Sequence, residues 1–327
     1  MDKLRRNFVL AIVLGVIVYL ALSIFSGFDD LRAALSDFRW SLIPAILGLV
    51  FISYIGRFFR WIYYLKILDI YLPPKINAAI FTAGLSMTIS PGKLGEVLKS
   101  LFIRQFNGTP VARTAPIVLA ERVTDGTGMI VWGLLGALAF SQGPWLMFLF
   151  LAVTIVGVVV LRSKRLSLLA ERTMERLPLV NRLSGHLGAF HGASDELLSM
   201  RSLIVTTFMA FGIWGFEILA VYLCAVGIGV DIPFLMLVFI FAVSSILGSL
   251  SMLPGGIGAA EAGLAGQFVT IAGLSSGLAV ALTMVIRLAT LWFAILLGVI
   301  GLFVVRLLIG DIEPEPERAA ASAKSEG

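Results

Sequence analysis

The feature that most constrains this chain is a series of long apolar runs. Each approaches the roughly 20 residues that a helix needs to cross a hydrocarbon core of about 30 Å. Charged residues make up only 14% of the chain, whereas soluble domains have about 25%. The sequence therefore predicts an all-α polytopic membrane protein. The runs lie at about residues 8–26, 40–65, 114–139, 145–161, 202–227 and 277–308.

Two further apolar regions, 76–106 and 233–274, are interrupted near their middle by the sequences SPGKLGE and LPGGIGAAE. Pro and Gly disfavour a continuous helix. Non-helical backbone at membrane depth is tolerated only where it is buried in protein or lines a wet cavity. We therefore expect two broken hairpins, each either re-entrant or made of two paired crossings. The predicted breaks are Pro91, Gly92, Gly95, Pro254, Gly255, Gly256 and Gly258.

The two breaks form part of an internal repeat. The pattern Pro-Gly-x-x-Gly recurs 163 positions later, and Arg122 recurs as Arg287 after 165 positions. Because glycine is common here, such a short match can arise by chance. The flanking order supports the repeat, because each half contains a long helix, a broken hairpin and a helix with one Arg.

Lys and Arg indicate the orientation, because they concentrate in cytoplasmic loops. The start KLRR, the basic stretch 162–201 and the cluster Arg57, Arg60 and Lys66 favour the cytoplasmic side. We expect the cluster to reach lipid headgroups. The first hairpin then enters from the cytoplasm and the second from outside, with both termini cytoplasmic. Such an inverted repeat is typical of transporters with a site between their halves.

One transmembrane domain is expected over residues 1–310, followed by a disordered acidic tail at 311–327, because the tail is polar and interrupted by Pro. The parts of the domain, in chain order, are a first helix at 8–26, half one at 40–139, a helix at 145–161, a cytoplasmic amphipathic linker at 162–201 and half two at 202–308.

Few charged residues fall inside the apolar regions. A charge at the bilayer centre costs roughly 2.5–3.5 kcal/mol on insertion scales, so it needs a partner and usually a purpose. A helix that begins after a glycine break also offers unpaired N–H groups and a positive dipole end. The predicted ligand is therefore an anion, most simply a lipid phosphate. The candidate substrate-binding residues are Lys93, Glu96, Glu121, Arg122, Asp125, Glu261 and Arg287.

Structural roles explain the same charges. Glu96 with Lys93 or Lys99 would form an ion pair that holds the hairpin. Glu121 and Asp125 would neutralise Arg122 and Arg287. Glu217 is alone in its run, which favours an Arg partner or a function equally.

The usual catalytic signatures are missing from the sequence. Cys224 is the single cysteine, and both histidines, His186 and His191, fall in one polar stretch. There is no phosphate-binding loop, no His-Glu-x-x-His motif and no Cys cluster. We therefore expect no metal and no cofactor. We also expect no nucleic acid partner, because net positive charge in a membrane protein reflects its orientation and its contact with anionic headgroups.

The stretches SPGKLGEVLKS, AERVTDGTG and LPGGIGAAEAGL resemble the transmembrane, flippase-like region of lysylphosphatidylglycerol synthases. The resemblance covers residues 8–308 and implies a bacterial or archaeal cytoplasmic-membrane protein with a lipid-flipping role. The soluble domain that makes the lysyl lipid is missing, so the resemblance leaves the substrate open. The matched positions are Pro91, Gly92, Gly95, Glu96, Glu121, Arg122, Asp125, Pro254, Gly255, Gly256, Gly258 and Glu261.

Three functions follow as hypotheses. The leading one is a transporter that moves an anionic phospholipid, glycolipid or polyprenyl-phosphate lipid between leaflets through a cavity between the hairpins. The second is an intramembrane enzyme or accessory subunit acting on lipid phosphates, with Glu96, Glu121 and Asp125 as acid, base or metal ligands. The third is a scaffold for envelope-biosynthesis enzymes, in which the breaks tolerate neutral changes and the linker does not.

Overall fold

The computed structural model describes residues 28–90, 94–137, 148–152, 154–156 and 184–310, together with residues 17, 20 and 24. Throughout these ranges the regular structure is helical. The fold is therefore an all-α, multi-pass membrane architecture, as the sequence predicts. Several predictions lie outside the described residues: most of the helix at 8–26, the linker up to residue 183, the tail at 311–327, and the positions Pro91, Gly92 and Lys93.

Half one contains one long helix, a broken hairpin and a second long helix. Pro44 stands in the first turn of the long helix, where its missing N–H costs nothing. The first hairpin arm tightens into a 3₁₀ turn at Ser86–Ile89, and the second arm is preceded by another at Leu94–Val97. The helices are α1 (Phe28–Ser36), α2 (Ile43–Ile67), α3 (Pro74–Leu85), α4 (Leu98–Asn107), α5 (Val111–Thr114) and α6 (Pro116–Ala137).

Half two has the same order of elements. Its last helix passes through a π-helical turn at Leu288–Trp292, directly after Arg287, and π turns are frequent at functional sites. The helices are α7 (Ser184–Leu197), α8 (Met200–Ile228), α9 (Phe234–Leu250), α10 (Ala259–Thr270), α11 (Ser276–Arg287) and α12 (Phe293–Ile309).

The long helices α2 and α8 end in the same way, 160 positions apart. The backbone N–H of Ile70 donates to Leu65 O at 2.9 Å, and that of Val230 donates to Ala225 O at 3.1 Å. These are the six-residue bonds of a Schellman ending, and in both cases the preceding residue has a positive φ. The same type of helix ending at equivalent positions independently supports the repeat.

Helices α2 and α8 cross each other antiparallel. Near the start of α2, the backbone N–H of Arg39 donates to Gly227 O, near the end of α8, at 2.9 Å. Midway along both helices, Arg57 contacts Glu217, and these residues are themselves 160 positions apart. Equivalent helices that cross antiparallel at equivalent residues are what an inverted repeat requires. The side of the membrane from which each hairpin enters stays a prediction.

The hairpin arms are shorter than a bilayer crossing. Helices α3 and α10 have 12 residues each and α4 has 10, or about 15–18 Å at 1.5 Å per residue. Three helical segments in the described part are long and apolar enough to span: Trp40–Ile67, Met200–Ile228 and Ser276–Ile309. Helix α9, the first arm of hairpin two, is longer, with 17 residues or about 25 Å. Re-entrant hairpins and paired crossings therefore both stay as the alternatives that the sequence left open.

In each half, the first arm of the hairpin packs on the last helix of the other half. The first arm of hairpin one, α3, packs on α12 of half two, and the first arm of hairpin two, α9, packs on α6 of half one. Glycines permit the close approach, since a Cβ at Gly301 would lie 2.5 Å from Ala83 N and one at Gly136 would lie 2.7 Å from Phe239 N. This packing brings Glu96, which follows the first break, and Gly255 of the second break to cavities that α8 also lines through Glu217.

Candidate functional site

A cluster of charged side chains surrounds the crossing of α2 and α8. Arg57 Nη2 lies 2.8 Å from Glu217 Oε2, and Arg60 Nη2 lies 2.7 Å from Asp125 Oδ1. The Arg57 guanidinium also stacks over the Trp214 ring, 4.5 Å from its centroid. Arg60 is only 1% exposed. The prediction that Arg57 and Arg60 reach the headgroups was therefore wrong, because both turn inward toward carboxylates on α6 and α8.

Lys99 forms the second part of the cluster. Its Nζ lies 2.9 Å from Glu121 Oε2 and 3.4 Å from Glu96 Oε2, and 4.5 Å from the centroid of the Trp61 ring. The aliphatic part of Lys99 runs over Gly84, where a Cβ would approach it to 2.7 Å. The structural ion pair between Glu96 and Lys99, weighed from the sequence, is thus present, and Glu121 joins it.

Arg122 connects the two parts of the cluster. Its Nη2 lies 3.5 Å from Glu96 Oε1 and 3.4 Å from Asp125 Oδ2. The network therefore runs without interruption from Lys99 on hairpin one to Glu217 on α8. Buried ion pairs of this kind recover little net stability, because desolvating the charges offsets their attraction. Their cost and their position between the halves are better explained by a binding role than by packing.

Hairpin two has a separate clamp. Arg287 Nε donates to Glu261 Oε1 at 2.7 Å, and Arg287 Nη2 donates to Gly255 O at 2.7 Å. The other carboxylate oxygen of Glu261 accepts the backbone N–H of Gly258 at 2.7 Å, so Glu261 caps the start of α10. The expectation that this helix end is open to an anion does not hold, because the protein's own carboxylate occupies it.

Positive φ angles explain the glycines of the second break. Gly255, Gly256 and Gly258 have φ of 62°, 66° and 93°, which other L-residues rarely adopt. At Gly256 a Cβ would also lie 3.1 Å from backbone atoms of Gly248. The chain can therefore leave α9 and start α10 within eight residues and bring Gly255 O to Arg287.

Two adjoining cavities lie between the halves. The smaller, of about 70 Å³, is lined by cluster residues including Arg57, Arg60 and Lys99. The larger, of about 380 Å³, has charged residues at one part of its wall and a mainly apolar remainder that includes Met129 and Ile130. The two cavities adjoin, because five residues line both of them: Thr88, Arg122, Trp214, Glu217 and Thr290.

Several buried donors around the smaller cavity have no acceptor. Arg57 Nε, Arg60 Nε, Arg122 Nε and Trp214 Nε1 are buried without a hydrogen-bond partner, and all four residues line that cavity. A buried donor without a partner costs about 1–3 kcal/mol. These four atoms lie behind the cavity wall, because each is inaccessible to solvent, so a ligand in the cavity would reach them only after the side chains turn.

The charges in the described part of the site balance. The bases are Arg57, Arg60, Lys99, Arg122 and Arg287, and the acids are Glu96, Glu121, Asp125, Glu217 and Glu261. The described charged residues of the site therefore leave no excess of positive charge.

The structure brings the predicted residues into two groups. Glu96, Glu121, Arg122 and Asp125 share the central network, while Glu261 and Arg287 form the clamp of hairpin two. In the described part of the chain, no three His, Cys, Asp or Glu side chains are placed to share a metal ion.

Sequence analysis missed the contribution of α2 and of Trp214. Ser53, Arg57, Arg60 and Tyr64 follow the 4-3-4 spacing of one helical face. In the structure this face meets Glu217, Asp125 and Thr124. A polar stripe inside an apolar run was therefore the signal that could have identified these residues.

Comparison with known proteins agrees with this architecture. A UPF0104 membrane protein of Methanothermobacter thermautotrophicus is 27% identical, over 92% of this chain and 93% of its own length. Another from the same organism is 24% identical, over 91% and 93%. One from Pyrococcus horikoshii is 26% identical, over 88% and 94%. The profile of the lysylphosphatidylglycerol synthase transmembrane region matches residues 10–298, and the chain therefore belongs to that family.

Proposed function

We propose that this protein moves a lipid with a phosphate-bearing headgroup between the leaflets of the cytoplasmic membrane, with both termini in the cytoplasm. The candidates are the anionic phospholipids, glycolipids carrying phosphate and polyprenyl-phosphate lipids. Membership of the family supports a lipid-related role, and the site supports the kind of lipid.

The observation that carries the proposal is the pairing of the two cavities. The larger cavity presents an apolar wall, suited to the part of a lipid nearest its acyl chains. It leads into the smaller cavity, which is lined by the basic side chains of Arg57, Lys99 and Arg122. An amphiphile with an oxygen-rich head matches both environments at once, whereas a soluble metabolite would leave the apolar wall unused.

A phosphate in the smaller cavity would accept hydrogen bonds from Arg122, Arg57 and Trp214. Charge-assisted hydrogen bonds to phosphate are about twice as strong as neutral ones. The carboxylates that now hold these arginines would keep them in place between transport events. No nucleotide-binding motif is present in the sequence, so we expect the lipid's own imbalance or an ion gradient to drive movement.

The test is lipid movement in proteoliposomes. Fluorescent phosphatidylglycerol in the inner leaflet becomes accessible to a membrane-impermeant quencher only after it crosses the bilayer. We expect Arg122→Ala and Glu96→Gln to reduce the protein-dependent rate at least tenfold. The matched control is Arg113→Ala, because Arg113 pairs with Glu196 on the surface, away from both cavities.

Three outcomes would contradict the proposal. Unchanged rates in both variants, with correct insertion, would remove the site from transport. A chemically altered lipid product, found by mass spectrometry, would instead support the intramembrane enzyme, and a loss of partner enzymes from the membrane without any lipid effect would support the scaffold.

A further inference from the structure

The cavity between hairpin two and α6 has a closed counterpart between hairpin one and α12. The open side is lined by Gly126, Ile130 and Ser249. A Cβ at Gly126 would meet nothing within 4 Å, so the space beside it is empty. The offset of 165 positions relates Gly126 and Ile130 to Leu291 and Ile295. The offset of 160 positions between the first hairpin arms relates Ser249 to Ile89, and the offset of 163 at the breaks relates it to Ser86, which is also completely buried.

The related residues are tightly packed. Ile89, Leu291 and Ile295 are 3%, 4% and 5% exposed, and they form one apolar cluster with Ile257. Equivalent interfaces of the two halves are therefore in different states: one is a cavity, and the other is a packed contact whose member Leu291 also borders that cavity.

The hairpin arms also sit differently on their partner helices. Gly301 on α12 faces Thr82 and Ala83 of α3, whereas its equivalent, Gly136 on α6, faces Leu235 and Phe239 of α9. By the repeat offset, Gly136 would face Ala242 and Val243 if the halves were alike. Hairpin two is thus placed between one and two helical turns away from the position that hairpin one adopts.

The Glu–Arg pairs of the two halves also differ: the pair in half two is in close contact, and the pair in half one is farther apart. Each pair is separated by 26 residues in the sequence. In half two, Arg287 Nε donates to Glu261 at 2.7 Å. In half one, the corresponding Arg122 Nε is buried without a partner, and only Nη2 approaches Glu96, at 3.5 Å.

We propose that these differences define two exchanging states, and that a second lipid cavity, sealed in this structure, opens at Ile89, Leu291 and Ile295 when the present cavity closes. In the second state, Arg122 Nε closes on Glu96 as Arg287 does on Glu261 here. Because the halves run in opposite directions, the exchange turns the shared headgroup site from one leaflet toward the other. The inference deepens the proposed function and rests on it for its purpose.

Cysteine cross-linking tests the exchange. In a Cys224→Ala background, one variant carries Gly126→Cys with Ser249→Cys, across the open cavity, and a second carries Ile89→Cys with Leu291→Cys, across the sealed contact. Short bifunctional thiol reagents are applied in proteoliposomes, and cross-linked peptides are quantified by mass spectrometry. The control pair, Arg113→Cys with Glu196→Cys, joins surface residues in contact and should react completely.

We expect both cavity pairs to react, the 89/291 pair faster, and we expect them to exclude each other when combined. Locking the 89/291 pair should lower the 126/249 yield at least fivefold and stop lipid movement. Failure of the 126/249 pair to react while the control reacts, or reaction of both pairs in the same molecule, would overturn the exchange.

The same experiment separates this inference from the proposed function. Lipid movement that depends on Arg122 but occurs without cross-link exchange would leave the transporter standing and remove the second cavity. Cross-link exchange in a protein that moves no lipid would support the two states and remove the proposed transport function.

Discussion

Hairpin one and hairpin two carry the same pair of residues in two different settings. Glu261 is completely buried, and Arg287 joins it to the backbone of the second break through bonds of 2.7 Å. Glu96 lies instead at the edge of the smaller cavity, 3.4 Å from Lys99 Nζ and 3.5 Å from Arg122 Nη2. Other acids of the cluster contact the same two bases, at 2.9 Å and 3.4 Å.

The difference indicates that Glu261 and Glu96 have different roles. A short, saturated clamp fixes the shape of a hairpin, whereas longer contacts beside unpartnered donors can be exchanged for a ligand. We therefore expect changes at Glu261 to act mainly on stability and changes at Glu96 mainly on lipid movement, although both replace the same chemical group.

The largest effect is expected for Glu261→Gln. Breaking a buried ion pair by removing one partner costs about 3–5 kcal/mol, because the other charge stays buried and uncompensated. Glu96→Gln should cost less, about 1–3 kcal/mol, while it abolishes lipid movement. Denaturant unfolding of the purified proteins in detergent measures the first quantity, and the proteoliposome assay measures the second.

The control for this pair is Glu196→Gln, which changes the same group in an exposed ion pair and should alter neither quantity much. Equal losses of stability at Glu96 and Glu261 would show that the two hairpins are held alike, and the comparison would fail.

Local signals explain what the sequence could predict. Three of the six predicted runs, 40–65, 202–227 and 277–308, coincide with segments long and apolar enough to span. The glycines with positive φ lie where Pro and Gly predict the second break. Gly258 followed three residues later by Glu261 is itself a capping pattern, so the occupied helix end was within reach of sequence reasoning. The inward orientation of Arg57 and Arg60 could not be predicted from the sequence, because their partners Asp125 and Glu217 lie between 65 and 160 positions away.

The next prediction concerns the crossing point of the two halves. Arg57 and Glu217 occupy equivalent positions, so their contact at 2.8 Å links each half to the other. Arg57→Gln and Glu217→Gln should each destabilise the protein by about 3 kcal/mol. In a double-mutant cycle the coupling energy should reach about 1–3 kcal/mol, as for residues in one ion-pair network. Additive losses would mean that the halves are not coupled through this pair.

A smaller effect is expected from the glycines at the exchanged interfaces. Gly301→Ala would bring a Cβ within 2.5 Å of Ala83 N, where only backbone can yield. Overpacking of this kind costs about 1–3 kcal/mol. Gly212→Ala is the matched control, because a Cβ there meets nothing within 4 Å and helical Ala is favoured over Gly by roughly 0.8–1.0 kcal/mol. A thermal stability assay that ranks the control below Gly301→Ala would show that α3 and α12 are not in close contact.

The smallest effect lies at the short helices that precede each half. Helix α1 packs on α11 of half two, and α7 packs on α5 and α6 of half one, so both cross to the other half. Among the described side chains, α7 adds an exposed ion pair, with Arg113 Nη1 2.7 Å from Glu196 Oε1. Exposed pairs contribute about 0.2–1 kcal/mol and are screened by salt. Arg113→Ala should therefore lower stability by less than about 1 kcal/mol at low salt, and the difference should vanish near 1 M salt. A loss that persists at high salt would show that apolar packing of the arginine stem, rather than charge, holds α7 in place, and the two short helices would then be anchored by the same kind of contact.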